Sequence, residues 1–184
     1  MKRKLLILSV LLICAATLAA GTLAYFNAED TAHNVITTGS VKIEIQEWAD
    51  EAKQTPFENL NGVMPDTSVT KIAEVKNTGA SEAWIRVRVT KSIELAGAGT
   101  PDSALVGLDL NLNDWTQGED GYLYCNRAVK PGEVTAPIFT TVTFHKAMGN
   151  EYQNATAEVD VFAQAVQTAN NSSSALTAFG WPAE

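Results

Sequence analysis

From residue 41 onward the chain alternates apolar and polar residues in short runs, the period of two that gives a strand one buried and one wet face. Over residues 41–48, "VKIEIQEW", Val41, Ile43 and Ile45 alternate with Lys42, Glu44 and Gln46. Residues 68–77, "SVTKIAEVKN", set Val69, Ala73 and Val75 in a similar rhythm. The clearest run is 83–91, "AWIRVRVTK", with Ala83, Ile85, Val87 and Val89 on one face and Trp84, Arg86, Arg88 and Thr90 on the other. Runs at 138–146 and 157–167 complete the set, the last with Val159, Val161, Ala163 and Ala165 in phase. Turn signals separate the runs: "NLNG", "KNTG", "AGAGTPDS", "QGEDG", "KPGE" and "MGNE". Helical pattern is confined to 47–60, before and around Pro56, and to 101–112, and neither stretch is long enough for a helical layer. The pattern predicts an all-β fold, an antiparallel β-sandwich with short helical pieces in its loops.

The first residues read differently. Lys2, Arg3 and Lys4 precede an uncharged apolar run over 5–20, and Thr22 and Ala24 put small residues three and one positions before a cut at Tyr25. The expected organisation is a signal peptide over 1–24, an N-terminal arm over 25–40, a sandwich over 41–169 and a C-terminal tail over 170–184. The alternative is a retained anchor, since the apolar run approaches the ~18 residues of a spanning helix. A lipoprotein cut before Cys14 is disfavoured by Ile13, where that peptidase requires a small residue.

Cleavage changes the charge. Lys and Arg fall from 13 to 10 while all 21 acids remain, so the mature side chains sum to −11. That acidity opposes nucleic acid and anionic membranes, leaving membrane contact to the uncleaved signal peptide. Cys14 leaves with the signal, so the remaining Cys125 has no intrachain disulfide partner and is expected to pack as a small apolar residue.

No catalytic constellation and no cofactor motif stands out: GxSxG, GxGxxG, a P-loop and HExxH are all absent. The two histidines, His33 in the arm and His145 in "TFHKAMG", are the only imidazoles available to a metal. In "DLNLNDWTQGED", Asp109, Asn111, Asn113 and Asp120 fall at positions one, three, five and twelve of a calcium loop. Asp114 stands where that loop needs glycine, and Leu110 and Leu112 alternate as a strand would, so strand plus hairpin is the preferred reading. Arg86 and Arg88 are expected to pair with acids on a solvated face.

The stretch 21–45, "GTLAYFNAEDTAHNVITTGSVKIEI", resembles the N-terminus of the TasA/camelysin family, secreted proteins of Gram-positive bacteria processed by a SipW-type signal peptidase. Gly21, Thr22, Ala24, Phe26, Asn34, Ile36, Thr37, Gly39 and Val41 fit its pattern in order. The likeness continues through "MPDTSVTKIAEVKNTGASEAWIRVRV", where Pro65-Asp66 replaces the usual Pro-Gly, and through "DWTQGEDGYLYCNRAVKPGEVTAPIFTTVTF" and "NEYQNATAEVDVFAQAVQ". The resemblance implies a jelly-roll-like sandwich exported to the cell surface or biofilm matrix. It also implies fibres in which the freed N-terminal arm of one subunit fills a groove in the next; assembly by the chain alone and assembly with an accessory matrix or anchoring protein are both left open by the sequence. Tyr25, Phe26, Val35 and Ile36 are the apolar residues that would anchor such an arm. The alternative is an arm that folds back on its own sandwich. Two functions of other classes remain as rivals: a camelysin-like secreted metallopeptidase, and an adhesin or carbohydrate-binding module with Trp84 and Trp115 as exposed stacking residues.

Overall fold

The computed structural model describes residues 41–58 and 65–183. The signal segment, its cut site at Thr22, Ala24 and Tyr25, the arm with Phe26, Val35 and Ile36, and His33 all lie outside the described residues.

Among the described residues, eight strands form two antiparallel four-stranded sheets. They are β1 (Ile43–Trp48), β2 (Thr67–Asn77), β3 (Ala83–Glu94), β4 (Val106–Leu108), β5 (Trp115–Gln117), β6 (Leu123–Cys125), β7 (Phe139–Phe144) and β8 (Thr156–Gln167). The first sheet runs β1-β2-β7-β4 and the second β5-β6-β3-β8. After β2 the chain crosses between the sheets at every connection except the β5–β6 hairpin, a jelly-roll-like path. Helical structure is limited to single 3-10 turns, at Ser103–Leu105, Asn150–Tyr152 and Ala175–Thr177.

The alternation read from the sequence is what fills the space between the sheets. Val41, Ile43, Ala73 and Val75 of the first sheet's side and Ala83, Ile85, Val87, Val161, Ala163 and Ala165 of the second join one buried cluster. Trp115 is wholly buried there, its indole N–H donating to the Ala136 carbonyl at 3.2 Å. Cys125 belongs to the same cluster, and burial pushes its thiol pKa up, against weaker opposing effects of Arg127, so it remains a protonated, inert packing residue.

Two turns carry the fold between strands. Asn77, fully buried, donates its amide to the carbonyls of Ser81 and Val129, both at 2.8 Å, and accepts from Gly79 N–H at 2.9 Å. It thereby holds the β2–β3 turn against the loop that carries Val129. At the other end of β2, Asp66 adopts φ 59°, the left-handed conformation that glycine takes most easily. Its N–H reaches the Phe144 carbonyl at 3.0 Å, so the turn keeps a glycine-type geometry without glycine.

Several local expectations change. Glu47 and Trp48, which lay in both the strand run 41–48 and the helical stretch 47–60, complete β1, because cross-strand pairing with Ala73 and Ile72 captures them. Residues 49–57 then turn back, with Lys53 and the Trp48 indole both bonded to the buried Glu74. Leu110 and Leu112 are not in a strand. Asn111 and Asp114 bond each other's side chain and main chain in a local turn, and Leu112 is left 58% exposed. The expected hairpin begins immediately afterwards, at Trp115.

The polar-looking C-terminal segment is also structural. It lies on the outer face of the second sheet, where Trp84, Tyr122, Tyr124, Val166 and Ala175 form a second buried cluster with Trp181 against it. The Trp84 indole donates to the Ser172 carbonyl at 2.9 Å, and the Gln164 amide to the Pro182 carbonyl at 3.2 Å.

Candidate interaction edge

The acidic residues proposed for a calcium loop are assigned to separate tasks. Asp109 accepts from Thr140 N–H (2.8 Å), Thr140 hydroxyl (2.5 Å) and Thr141 N–H (2.7 Å), fastening the end of β4 to β7. Asp120 accepts from the Tyr124 hydroxyl at 2.6 Å and pairs with Arg86 at 3.2 Å, on the outer face of the second sheet. Asn113 contributes only its carbonyl, to the Asn126 amide. Among the described residues no group of three or more His, Cys, Asp or Glu is placed to hold a metal ion. His145 accepts from Ala147 N–H through Nδ1 in an exposed turn.

Asp109 makes one pH prediction. Partial burial raises its pKa, but the hydrogen bonds from Thr140 and Thr141 outweigh this and hold the carboxyl below its ordinary value. A depressed folded-state pKa contributes stability that is present above the unfolded value, about 4, and is lost as pH falls through the folded value. Urea midpoints measured from about pH 5 down to about pH 2 should therefore decline, and Asp109→Asn should flatten part of that decline. An unchanged slope in the variant would contradict the assignment.

Trp84 and Trp115 do not offer a stacking surface. Trp84 is 8% exposed and Trp115 is 0%, so neither can be the glycan platform expected of an adhesin. Arg86 is paired with Asp120 as expected, but its face is covered rather than solvated. Its guanidinium bonds Gln164 through both Nε (2.8 Å) and an Nη (2.6 Å) and lies over the Tyr122 ring at 3.9 Å and the Trp181 ring at 4.7 Å. Arg88 lies over Tyr122 at 4.3 Å.

Among the described residues the two sheets have four edge strands, β1, β4, β5 and β8, of which β8 is the longest. Ala83 exchanges two main-chain hydrogen bonds with Val129, so odd-numbered residues of β3 face away from β8. Even-numbered ones face it, as does Glu82, whose carbonyl accepts Thr168 N–H at 3.1 Å. The register Arg86↔Gln164 and Thr90↔Asp160 then commits the even residues of β8 to the ladder. Val159, Val161, Ala163, Ala165 and Gln167 turn their N–H and C=O groups outward. No strand among the described residues pairs with them, since β8 ends its sheet.

This edge is closed at both ends and buried between. The Val159 carbonyl accepts Lys71 Nζ at 3.0 Å, and the Gln167 carbonyl accepts the Asn171 amide at 3.2 Å. Val161 is 2% exposed, and Ala163 and Ala165 are 0%. β1, the edge strand of the other sheet, contacts β8 on this side of the sandwich. Val41, the first described residue and 1% exposed, leads into β1 from the same core cluster.

Lys71 completes the site. It occupies the inward phase of β2 with Val69 and Ala73, at a register shift between Thr70 and Ala73. Its ammonium lies 3.1 Å from Glu47 Oε1 and 4.6 Å from the centre of the Phe57 ring, and the residue is 7% exposed. Glu47 Oε1 is buried and meets no donor in hydrogen-bond alignment, so the contact is an ion pair by proximity. Lys71 was legible as the one charged residue in an apolar phase, "SVTKIAEV". The edge itself was not, because strand order is set by topology rather than by period.

Fold and site together define an all-β sandwich with a long terminal strand whose outer main chain lacks a described partner. Comparison with protein-family models, with curated proteins and with solved structures finds no match to this chain.

Proposed function

We propose that this chain is an exported structural protein of the cell surface or biofilm matrix, similar to the TasA/camelysin proteins, whose subunits join head to tail. The arm over 25–40, freed by cleavage before Tyr25, adds as a strand to the β8 edge of a neighbouring subunit. Such an addition uses main-chain hydrogen bonds for affinity and alternate side chains for specificity. A head-to-tail contact of this kind does not close on itself and so extends into a filament.

The observation that carries the reading is the buried, outward-facing main chain of Val161, Ala163 and Ala165. Buried main-chain groups are almost always paired, and each one left without a partner costs about 1–3 kcal/mol. A strand from outside the described residues would supply such partners, and the arm is the segment that precedes Val41 in the sequence.

Two purified proteins, one beginning at Tyr25 and one at Val41, test it by light scattering and negative-stain microscopy. The first should form filaments. The second should remain monomeric, less stable, and regain stability on addition of a peptide spanning 25–40. Filaments from both would remove the arm from assembly. Two stable monomers would mean that each arm closes its own edge.

A further inference from the structure

We infer that Lys71 is a stop that fixes how far a strand can add along β8, confining main-chain pairing to the segment from Val161 to Gln167. The inference rests on the arm-to-β8 reading and adds to it the length and chemistry of what binds. An ammonium on an outward carbonyl occupies the position that the next N–H of an added strand would take. At Val159 that place is held by Lys71 Nζ. Inward-pointing charge is one of the devices by which sheet edges resist further pairing.

Independent features mark the same boundary. The burial of β8 changes there: Thr156, Glu158 and Asp160 are exposed, whereas five of the six residues from Val161 to Val166 are buried. A strand running past Val159 would lie beside the carboxylates of Glu158 and Asp160 and would have to displace or further bury the Lys71–Glu47 pair. The register shift in β2 supplies the aim, since an extra residue in one strand redirects the side chains around it. Glu47 and Phe57, from β1 and the segment after it, hold the ammonium from the opposite side.

The segment left open takes an extended piece of about seven residues, with small or β-branched apolar side chains at alternate positions to meet Val161, Ala163 and Ala165. A run centred on Val35 and Ile36 of a second copy has that character.

Amide hydrogen exchange on the assembled chain beginning at Tyr25, compared with the monomeric chain beginning at Val41, tests the stop. The arm should slow the amides of Val161, Ala163 and Ala165 by roughly 100-fold or more and leave those of Ala157 and Val159 within about threefold. In Lys71→Met, with the arm present, protection should spread to Val159 and Ala157. If Ala157 and Val159 are already slowed as much as Ala163 in the unaltered protein, the stop is wrong while arm addition stands. If the arm slows none of these amides, arm addition to β8 fails, and the stop with it. The unaltered protein's pattern decides even if Lys71→Met does not fold, and Glu47→Gln, which frees the ammonium without removing it, should give partial spreading.

Discussion

Replacing Asn77 by Asp should remove a large part of the stability of the sandwich. The amide of Asn77 is fully buried and donates to two carbonyls, those of Ser81 and Val129. A carboxylate of the same shape has nothing to donate and would set its charge against both oxygens. An uncompensated buried charge costs about 3–5 kcal/mol, against about 5–15 kcal/mol for a whole domain. Asn77→Ala provides the discriminating control. It leaves Val129 C=O still satisfied by Ala83 N–H, and deprives chiefly Ser81 C=O and Gly79 N–H. Its cost should be about 2 kcal/mol. Thermal melts should rank Asp well below Ala, and equal melting temperatures would show that the two donated bonds do not hold the turn.

Ala163→Pro should abolish assembly while leaving the subunit folded. Proline removes a main-chain N–H and fixes φ near −65°, which is tolerated in a sheet only where the N–H faces an open edge. At position 163 that group faces outward, so the β3–β8 ladder keeps all its bonds and only the added strand loses one. The ring would also occupy the space that the incoming main chain needs. Gln164→Pro, one residue along, removes an N–H that belongs to the β3 ladder through the pairing with Arg86. It should cost about 3 kcal/mol or more and perturb the fold. Circular dichroism and light scattering separate the two. A folded, non-assembling Ala163→Pro beside a destabilised Gln164→Pro confirms which row of main-chain groups is used. Undiminished filaments from folded Ala163→Pro would place the assembly surface elsewhere.

The long strands were readable because a period of two is a local property. In 83–91 each apolar residue of the alternating set has its place in the core or against it. The strands β4, β5 and β6 are three residues each, too short to show a period, and their pairing depends on distant partners. The tail was misleading for a related reason. "ANNSSSALTAFGWPAE" has the composition of a linker, yet Trp181 rests on Arg86 and Tyr124, residues far away in sequence. Likewise Arg86 belongs to an outward face by its phase, and it is the covering of that face by the tail that removes it from solvent. The calcium-like spacing failed because the turn at Asn111–Asp114 separates Asp109 from Asp120, and each carboxylate is taken by its own neighbours. Lys71 was the exception that composition could flag: a charge in an apolar phase signals either a partner in the core or an edge to guard.

The proposed assembly is directional, one subunit donating an arm that the next receives on β8. Mixing two defective proteins tests that claim most directly. On the proposed arm-to-β8 addition, the chain beginning at Val41 should receive but not donate, and Ala163→Pro beginning at Tyr25 should donate but not receive. Analytical ultracentrifugation of the equimolar mixture should show one-to-one heterodimers and nothing larger, with each protein alone monomeric. Absence of any complex, or growth of filaments from the mixture, would contradict the account.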